Sequence, residues 1–277
     1  MCLAAYVDGS FCMGVDKKVG SQAVSEGREV ILDADSFVFE LPPRVRWARR
    51  ILIKPCAGYA VPYPATTSKE ILQKVITSIR AVSEADIILL EGSPCEEEMK
   101  PIYKTLGYEF PRVIALDVRD SVLVEVENPL VRPFAVPTFW VPNVILYCDY
   151  LISITPFKVV GRQGDFTIKN LLGLLPVSKY QGSNGSAWGV LNDLGMDKVL
   201  ADLYFTLPFD LGVIDGRKKF VGRDEPSVGK AQYCGKIFVG EPYEVDLEAS
   251  QSMGVAAEYL QWIEIARTQV GSEEDES

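Results

Sequence analysis

The chain has 277 residues, 48% of them hydrophobic, and a formal charge of −10 from 28 basic and 38 acidic side chains. That length suits one large α/β domain or two small ones, and that hydrophobic content supports a packed core rather than bulk disorder. No apolar run reaches the ~18 residues that span a bilayer. The acidic balance disfavours duplex nucleic acid, so neither membrane nor nucleic acid is an expected partner.

The start, MCLAAYVDGSFC, lacks the basic and long apolar regions of a signal peptide, which predicts a cytoplasmic location. Histidine is absent. Histidine triads and zinc-peptidase motifs are therefore excluded, and proton transfer must use carboxylate, Lys, Tyr, Cys or water. The six cysteines, Cys2, Cys12, Cys56, Cys95, Cys148 and Cys234, contain no C-x-x-C pair. No iron–sulfur cluster is expected, and most of the thiols should be reduced.

In chain order, Glu29–Leu41 carries strand-like runs that Pro42 and Pro43 end, and Arg44–Arg50 is basic and solvated. Ile51–Ile53 predicts a short buried strand ending at Lys54-Pro55-Cys56. Beyond a Pro- and Gly-containing loop, Ala57–Ala65, Thr67-x-x-Glu70 reads as a capping box. It opens a helix with an apolar stripe from Ile71 to Val82. Ile87–Leu90 is an all-apolar strand followed by Glu91-Gly92-Ser93-Pro94-Cys95. Glu96–Glu98 suit the first turn of a helix that Gly107 ends. Arg112–Asp117 and Val122–Glu127 read as strands, the second at an exposed or edge position. Asn128–Asn143, with four prolines, reads as a loop.

The central stretch runs from Leu151 to Pro176. Leu151–Thr155 alternates as a buried strand would, and Pro156 stops it. A loop with Lys158, Gly161, Arg162 and Gly164 follows, and Asp165 or Thr167 can cap a short helix that carries Lys169 and Asn170. Strand, basic glycine loop and helix N-terminus together form a recipe for holding an anion, through free backbone N–H groups and the helix dipole. The loop is neither a Walker A nor a GxGxxG loop. Ser178–Ser186 is a polar lid candidate, and Trp188–Phe205 contains a helix. Leu211–Ile214 reads as a strand ending at Asp215-Gly216, Arg217–Glu225 as a charged loop and Lys236–Val239 as another strand. A final helix covers Leu247–Thr268, ahead of the acidic tail.

Short apolar strands alternating with amphipathic helices predict an α/β fold. We expect a largely parallel or mixed sheet flanked by helices, in a single large domain with inserted loops. The expected organisation is an N-terminal segment at 1–50 packed on an α/β domain at 51–270, with a disordered acidic tail at 271–277.

In open parallel sheets ligands collect beyond the C-terminal strand ends. Lys54, Cys56, Glu91, Cys95, Lys158, Asp215, Glu241 and Asp246 fall there. Lys54, Lys158, Arg162, Lys169 and Asn170 are candidates to hold a small carboxylate or phosphate. Glu91, Asp215 and Lys169 are candidates for acid–base work. Glu91, Asp215, Glu241 and Asp246 could bind a hard divalent cation, magnesium or manganese. Each has a plainer reading: Lys54 in a structural ion pair with Glu91, Asp215 in a turn, Asp246 as a helix cap, Lys169 and Asn170 in solvent. Cys56 and Cys95 could meet as a redox pair, and Tyr59 and Tyr63 could wall a pocket.

The ordered segments ILIKP (51–55), PATTSKEIL (64–72), LLEGSP (89–94), DYLISITPFK (149–158), TIKNLLGLLP (167–176), FDLGVIDG (209–216) and VGEPYEVD (239–246) resemble the family called domain of unknown function 362. The resemblance covers about residues 50–265. Its most specific pieces are Lys-Asn-x-x-Gly-x-x-Pro at Lys169–Pro176 and Gly-acid-Pro-x-x-Val-Asp at Gly240–Asp246. The resemblance implies an α/β fold and supplies no reaction. Some relatives carry a ferredoxin-like iron–sulfur module, whose cysteine spacing this chain lacks. The chain also departs from the pattern. Cys56 stands where Asn is frequent, Glu241 where Asp is usual, and Val160 where a histidine follows the central lysine. The missing histidine leaves open a non-catalytic scaffold or regulatory role beside binding or transformation of an anionic metabolite.

Overall fold

The structure, a computed structural model, describes residues 30–274 except 36, 224 and 226, with the backbone alone at 269–274. Its centre is four strands, each built around an apolar run. They are β2 (Arg50–Pro55), β3 (Asp86–Glu91), β7 (Tyr150–Val160) and β9 (Leu211–Gly222). Such runs suit strands buried on both faces. With β1 (Ile31–Asp33), β4 (Val113–Asp117) and β10 (Gly229–Gly240) they form a sheet in the order β1-β10-β9-β7-β2-β3-β4. Strands β4, β3, β2, β7 and β9 run parallel, while β10 and β1 are antiparallel additions, so the sheet is mixed.

Side-chain alternation splits the core in two. Ile51, Ile53, Ile87, Leu89, Ile152 and Ile154 face α1 (Lys69–Val82) and α2 (Met99–Leu106). Leu52, Ile88, Leu90 and Leu151 face the other way. There they meet α5 (Met196–Thr206), α6 (Pro242–Met253) and α7 (Tyr259–Glu274). A separate hairpin of β5 (Leu123–Glu127) and β6 (Thr138–Pro142) packs on this second face. Among the described residues no helix is long and apolar enough to cross a membrane.

Several local expectations need correction. Pro156 does not stop the central strand. It occupies a register irregularity where Pro156 faces Asp215 and Phe157 already faces Lys219, so β7 continues to Val160. A proline is tolerated at such a point because no ladder N–H is required of it. The following residues are then a hairpin, not an open loop: β8 (Gln163–Asp165) folds back on β7 with Lys158 opposite Asp165. Likewise β9 runs through the stretch read as a charged loop, paired with β10. The short helix at Lys169–Leu174 is a 3-10 helix, and no side chain caps it, neither Asp165 nor Thr167. The helix expected within Trp188–Phe205 is α5, and the short α4 (Gly189–Asp193) precedes it across Gly195 at φ +92°. The final helix is two, α6 and α7, because Gly254 at φ +61° ends the first.

Of the strand-like runs in Glu29–Leu41 only Ile31–Asp33 pairs. Phe37 and Phe39 lie buried beside α1 without a strand. Asn128–Asn143 is not all loop, since it contains β6. The cap of α1 is Ser68, which accepts from the Ile71 N–H, rather than Thr67, whose hydroxyl donates to the Ile154 carbonyl. Residues 271–274, placed in the tail by the sequence, continue α7, and 275–277 lie outside the described residues.

The turn ahead of β6 depends on one buried carboxylate. Asp202 of α5, fully buried, accepts the Phe134, Ala135 and Val136 N–H groups at 3.0, 2.7 and 2.8 Å. Asp202→Ala would leave these donors unpaired and should destabilise the protein by roughly 3 kcal/mol or more. Urea unfolding of the purified variant measures this, and a loss below about 1 kcal/mol would contradict the assignment.

Candidate functional site

The C-terminal ends of β2 and β3 and the outer half of β7 open onto a cleft of about 530 Å³. Its polar wall begins with Lys54, the last side chain of β2 before Pro55. The ammonium is 1% exposed and donates to Glu91 Oε2 at 2.7 Å, to Asn170 Oδ1 at 3.1 Å and to the Pro55 carbonyl at 2.8 Å. Glu91 Oε2 also accepts the Ala57 N–H at 2.8 Å, and Oε1 accepts the Gly92 N–H at 3.0 Å. The plainer reading of these two residues is thus their geometry: a buried, saturated ion pair. A Cβ at Gly173 would fall on Glu91 Oε1 and within 2.8 Å of Lys54 Nζ. The glycine of the Lys-Asn-x-x-Gly motif is there to let the 3-10 helix lie against the pair.

A second pair stands on the β7–β8 hairpin. Lys158 Nζ lies 2.7 Å from Asp165 Oδ2 and donates to Cys56 Sγ at 3.3 Å. Burial pulls the Lys158 ammonium down, but Asp165 and Cys56 outweigh it and hold the group above its ordinary value. Burial works against Asp165 too, yet Lys158 and Lys169 keep its carboxyl below the usual range. Burial pushes the Cys56 thiol up despite Lys158, which argues against a resting thiolate nucleophile. Cys95 is exposed and does not line the cleft. The redox pairing with Cys56 has no support from this geometry.

Lys169 differs from the other two lysines. It is half-buried in the cleft wall, and among the described residues its ammonium has no hydrogen-bond or ion-pair partner, only longer-range attraction to Asp165 and Asp197. Asn170 is not a free ligand group. Its amide donates to the Lys54 carbonyl and to Ser153 Oγ, at 3.2 and 3.1 Å, and fixes the Lys54 ammonium. Arg162 sits at the exposed tip of the β7–β8 hairpin and does not reach the cleft.

The four carboxylates expected to share a magnesium or manganese ion are dispersed. Glu91 alone lines the cleft. Asp215, fully buried, is held by Arg217 Nε at 3.0 Å, by its terminal nitrogen at 2.8 Å, by Ser68 Oγ at 2.8 Å and by Tyr63 at 3.2 Å. It anchors the loop from Cys56 to Ser68 rather than facing a ligand, so neither its acid–base nor its metal role is assembled. Glu241 caps α6 through the Tyr243 and Glu244 N–H groups and accepts the Tyr204 hydroxyl at 2.8 Å. Asp246 accepts from Thr167 N and Oγ1 at 2.9 and 2.6 Å, from Ile168 N at 2.9 Å and from Tyr259 at 2.8 Å. Among the described residues no group of three or more Cys, Asp or Glu is placed to hold a metal.

Asp246 also corrects the anion recipe. The backbone N–H groups that precede the 3-10 helix are taken, and the acceptor they hold is the protein's own Asp246 carboxyl. Ser153 extends the network by donating to the Thr167 carbonyl at 2.8 Å. One hydrogen-bonded chain therefore runs from Glu91 and Lys54 through Asn170 and Ser153 to the segment that Asp246 clamps.

The opposite wall was not legible as a site. Trp188, Met196, Asp197 and Leu200 come from α5 and the segment before it, and Tyr59 closes the mouth from the loop after β2. Burial and Glu258 push the Asp197 carboxyl up, while Lys169 draws it down. Burial raises the Tyr59 hydroxyl to about 12. Tyr59 was a candidate wall residue by sequence. Asp165 had a retrievable signal, lying across the Gly161 turn from Lys158. The helical wall carries only an apolar helix pattern, which does not announce a cleft.

Comparison with known proteins gives one family. A model described as "Domain of unknown function (DUF362)" matches residues 51–250. No curated protein matches the chain. Among solved structures, the lactate racemase apoprotein from Thermoanaerobacterium thermosaccharolyticum is similar at a TM-score of 0.49 and 14% identity. The match covers 76% of this chain and spans half, 50%, of that one.

Two outcomes follow for the polar wall. Lys54→Met would strand the Glu91 charge and should cost about 3–5 kcal/mol, whereas Lys54→Met with Glu91→Leu should cost much less. Chemical denaturation of both variants checks the difference. Burial pushes the Asp246 carboxyl up to about 7 against its four donors. Because the folded value is raised, the stability it lends is complete below about pH 4 and is lost as pH rises through about 7. A carbon-13 carboxyl titration should place its midpoint within about a unit of 7, and a midpoint at the ordinary carboxylate value would refute the reading.

Proposed function

The chain belongs to the DUF362 family, whose model covers residues 51–250, and on that premise we propose that its cleft binds a small anionic metabolite, a carboxylate or a phosphate. The observation that carries this reading is the contrast between the three lysines. Lys54 and Lys158 are each neutralised at 2.7 Å by a carboxylate. Lys169 faces the same cleft with no such partner among the described residues. A half-buried ammonium with no carboxylate partner is free to form a charged hydrogen bond with an entering anion.

The other residues have supporting tasks. The Lys54–Glu91 pair and Asn170 stiffen the wall from which Lys169 projects. Lys158 with Asp165 adds a neutral, strongly polar patch that can orient a second oxygen of the ligand. Among the described residues the Tyr59 hydroxyl has no hydrogen-bond partner, so it can donate to the ligand at the mouth. Any proton transfer would fall to Lys169 or to Asp197, whose carboxyl burial holds above its ordinary value. The four described cysteines are free, in keeping with a reducing compartment such as the cytoplasm.

Calorimetric titration of the purified protein with a panel of small carboxylates and phosphate esters tests the reading. At least one should bind, and Lys169→Ala should weaken it about tenfold or more, the worth of one charged hydrogen bond. Binding that ignores Lys169→Ala would remove the residue from the site.

A further inference from the structure

Resting on the anion reading above, we propose that the ligand is an organic monocarboxylate with an apolar body, aromatic or aliphatic, and not a phosphate. The first ground is the supply of donors. Phosphate sites draw on several backbone N–H groups at a loop or helix start. Here Thr167 N and Ile168 N are bound by Asp246, at 2.9 Å each. Asn170 N is bound by the Phe166 carbonyl, and Gly164 N by the Ala256 carbonyl. Gly161 N is paired with Gly222 across the sheet. The side chain of Lys169 is left as the cationic contact. The cleft offers one ammonium, Lys169, and the Tyr59 hydroxyl as side-chain donors, a small set that suits the two oxygens of a carboxylate better than a phosphate.

The second ground is charge. Lys54 with Glu91 and Lys158 with Asp165 cancel in place, so of the three lysines that line the cleft Lys169 is the one without a carboxylate partner among the described residues. Glu91, Asp165 and Asp197 face the same space. With the two pairs cancelled, Lys169 and Asp197 are the charges that remain, so a dianion brings one more uncompensated negative charge into the cleft than a monoanion does.

The third ground is the far wall. Trp188 spends its only polar atom on the Leu175 carbonyl at 3.2 Å, and the Tyr259 hydroxyl is spent on Asp246 at 2.8 Å. Both therefore offer the cleft carbon surface alone, beside Leu172, Met196 and Leu200. A volume of about 530 Å³ is within the range of organic-ligand pockets and far exceeds a bare anion. Filling it with carbon rather than water draws on the hydrophobic effect.

Titration of the full chain with 3-phenylpropionate, acetate and inorganic phosphate tests this. The phenylpropionate should bind about tenfold or more tighter than either small anion, as burial of a ring implies. Lys169→Gln should weaken phenylpropionate and acetate together. Met196→Gln, of similar length and neutral, should weaken phenylpropionate and leave acetate unchanged. Thermal melts confirm that these variants, and Trp188→Ala, are folded. Phosphate binding as tightly as phenylpropionate, and dependent on Lys169, would overturn the proposal while leaving the anion reading intact. No Lys169-dependent binding by any of the three probes would overturn both. Phenylpropionate binding indifferent to Met196→Gln and Trp188→Ala would place it on another surface and likewise overturn the proposal.

Discussion

An ammonium and a carboxylate that both lie out of water must satisfy each other and every remaining hydrogen-bonding site. Lys54 and Glu91 meet that condition at the point where two central strands end, with side chains 1% and 3% exposed. Desolvating such a pair costs several kcal/mol per ion unless its geometry and its neighbours compensate. Compensation comes from four separate places: the Pro55 carbonyl, the Ala57 and Gly92 N–H groups and the Asn170 amide. Each contributor has its position dictated. Pro55 and Ala57 leave β2, Gly92 leaves β3, and Asn170 arrives from a segment more than a hundred residues further on. Gly173 then has to be a glycine, because a side chain there would occupy the ions' own space.

Asp246 plays a matching part on the far side of the 3-10 helix. A helix start with bare N–H groups is unfavourable in a dry interior. Binding it with an internal carboxylate lets the segment pack against β7 without water. The Gly-acid-Pro-x-x-Val-Asp motif thus acts at both of its acids. Glu241 starts α6, and Asp246, one turn later, reaches across to Thr167 and Ile168. The segment just ahead of the Lys-Asn-x-x-Gly motif and the last residue of the Gly-acid-Pro motif are thus the two halves of one contact. The cleft keeps its openness because this half of the polar network is closed on itself.

The sequence disclosed the sheet and the list of polar strand ends well, and the pairing of those ends poorly. Apolar runs at Ile51–Ile53, Ile87–Leu90 and Leu151–Thr155 can hardly be anything but buried strands, and the structure has all three. Lys54, Glu91, Lys158, Lys169 and Asn170 do meet around one space. What local pattern could not reveal was which charge faces which. Asp215 and Asp246 look alike as acids past a strand, yet Arg217 takes one and a 3-10 helix takes the other. Strand lengths failed where a proline or a charged run sits in an outer strand half, because pairing with β8 and β10 overrides propensity there. The hydrophobic wall failed for a different reason: Trp188, Met196 and Leu200 obey the same apolar pattern whether they fill a core or border a cleft.

The position of β7 between β2 and β9 bears on how the chain reaches this state. Strands β2, β3 and β4 are neighbours in sequence and in the sheet, so they can assemble early as they emerge. The open edge of β2 must then wait for Tyr150 before it is paired. Until that strand arrives, an apolar edge with unbonded N–H and C=O groups is on offer to any other strand. Asp149 shortens the search once β7 is present, since its carboxylate takes the Arg49 and Arg50 N–H groups at 2.8 and 2.9 Å and sets the register at the first residue. The cleft can form only after that joining, for its polar wall needs Lys54 from before the gap and Lys158 from after it. The site therefore cannot precede the joining of β7 to β2, and a chain cut short of β7 would display a sticky edge in place of a binding site.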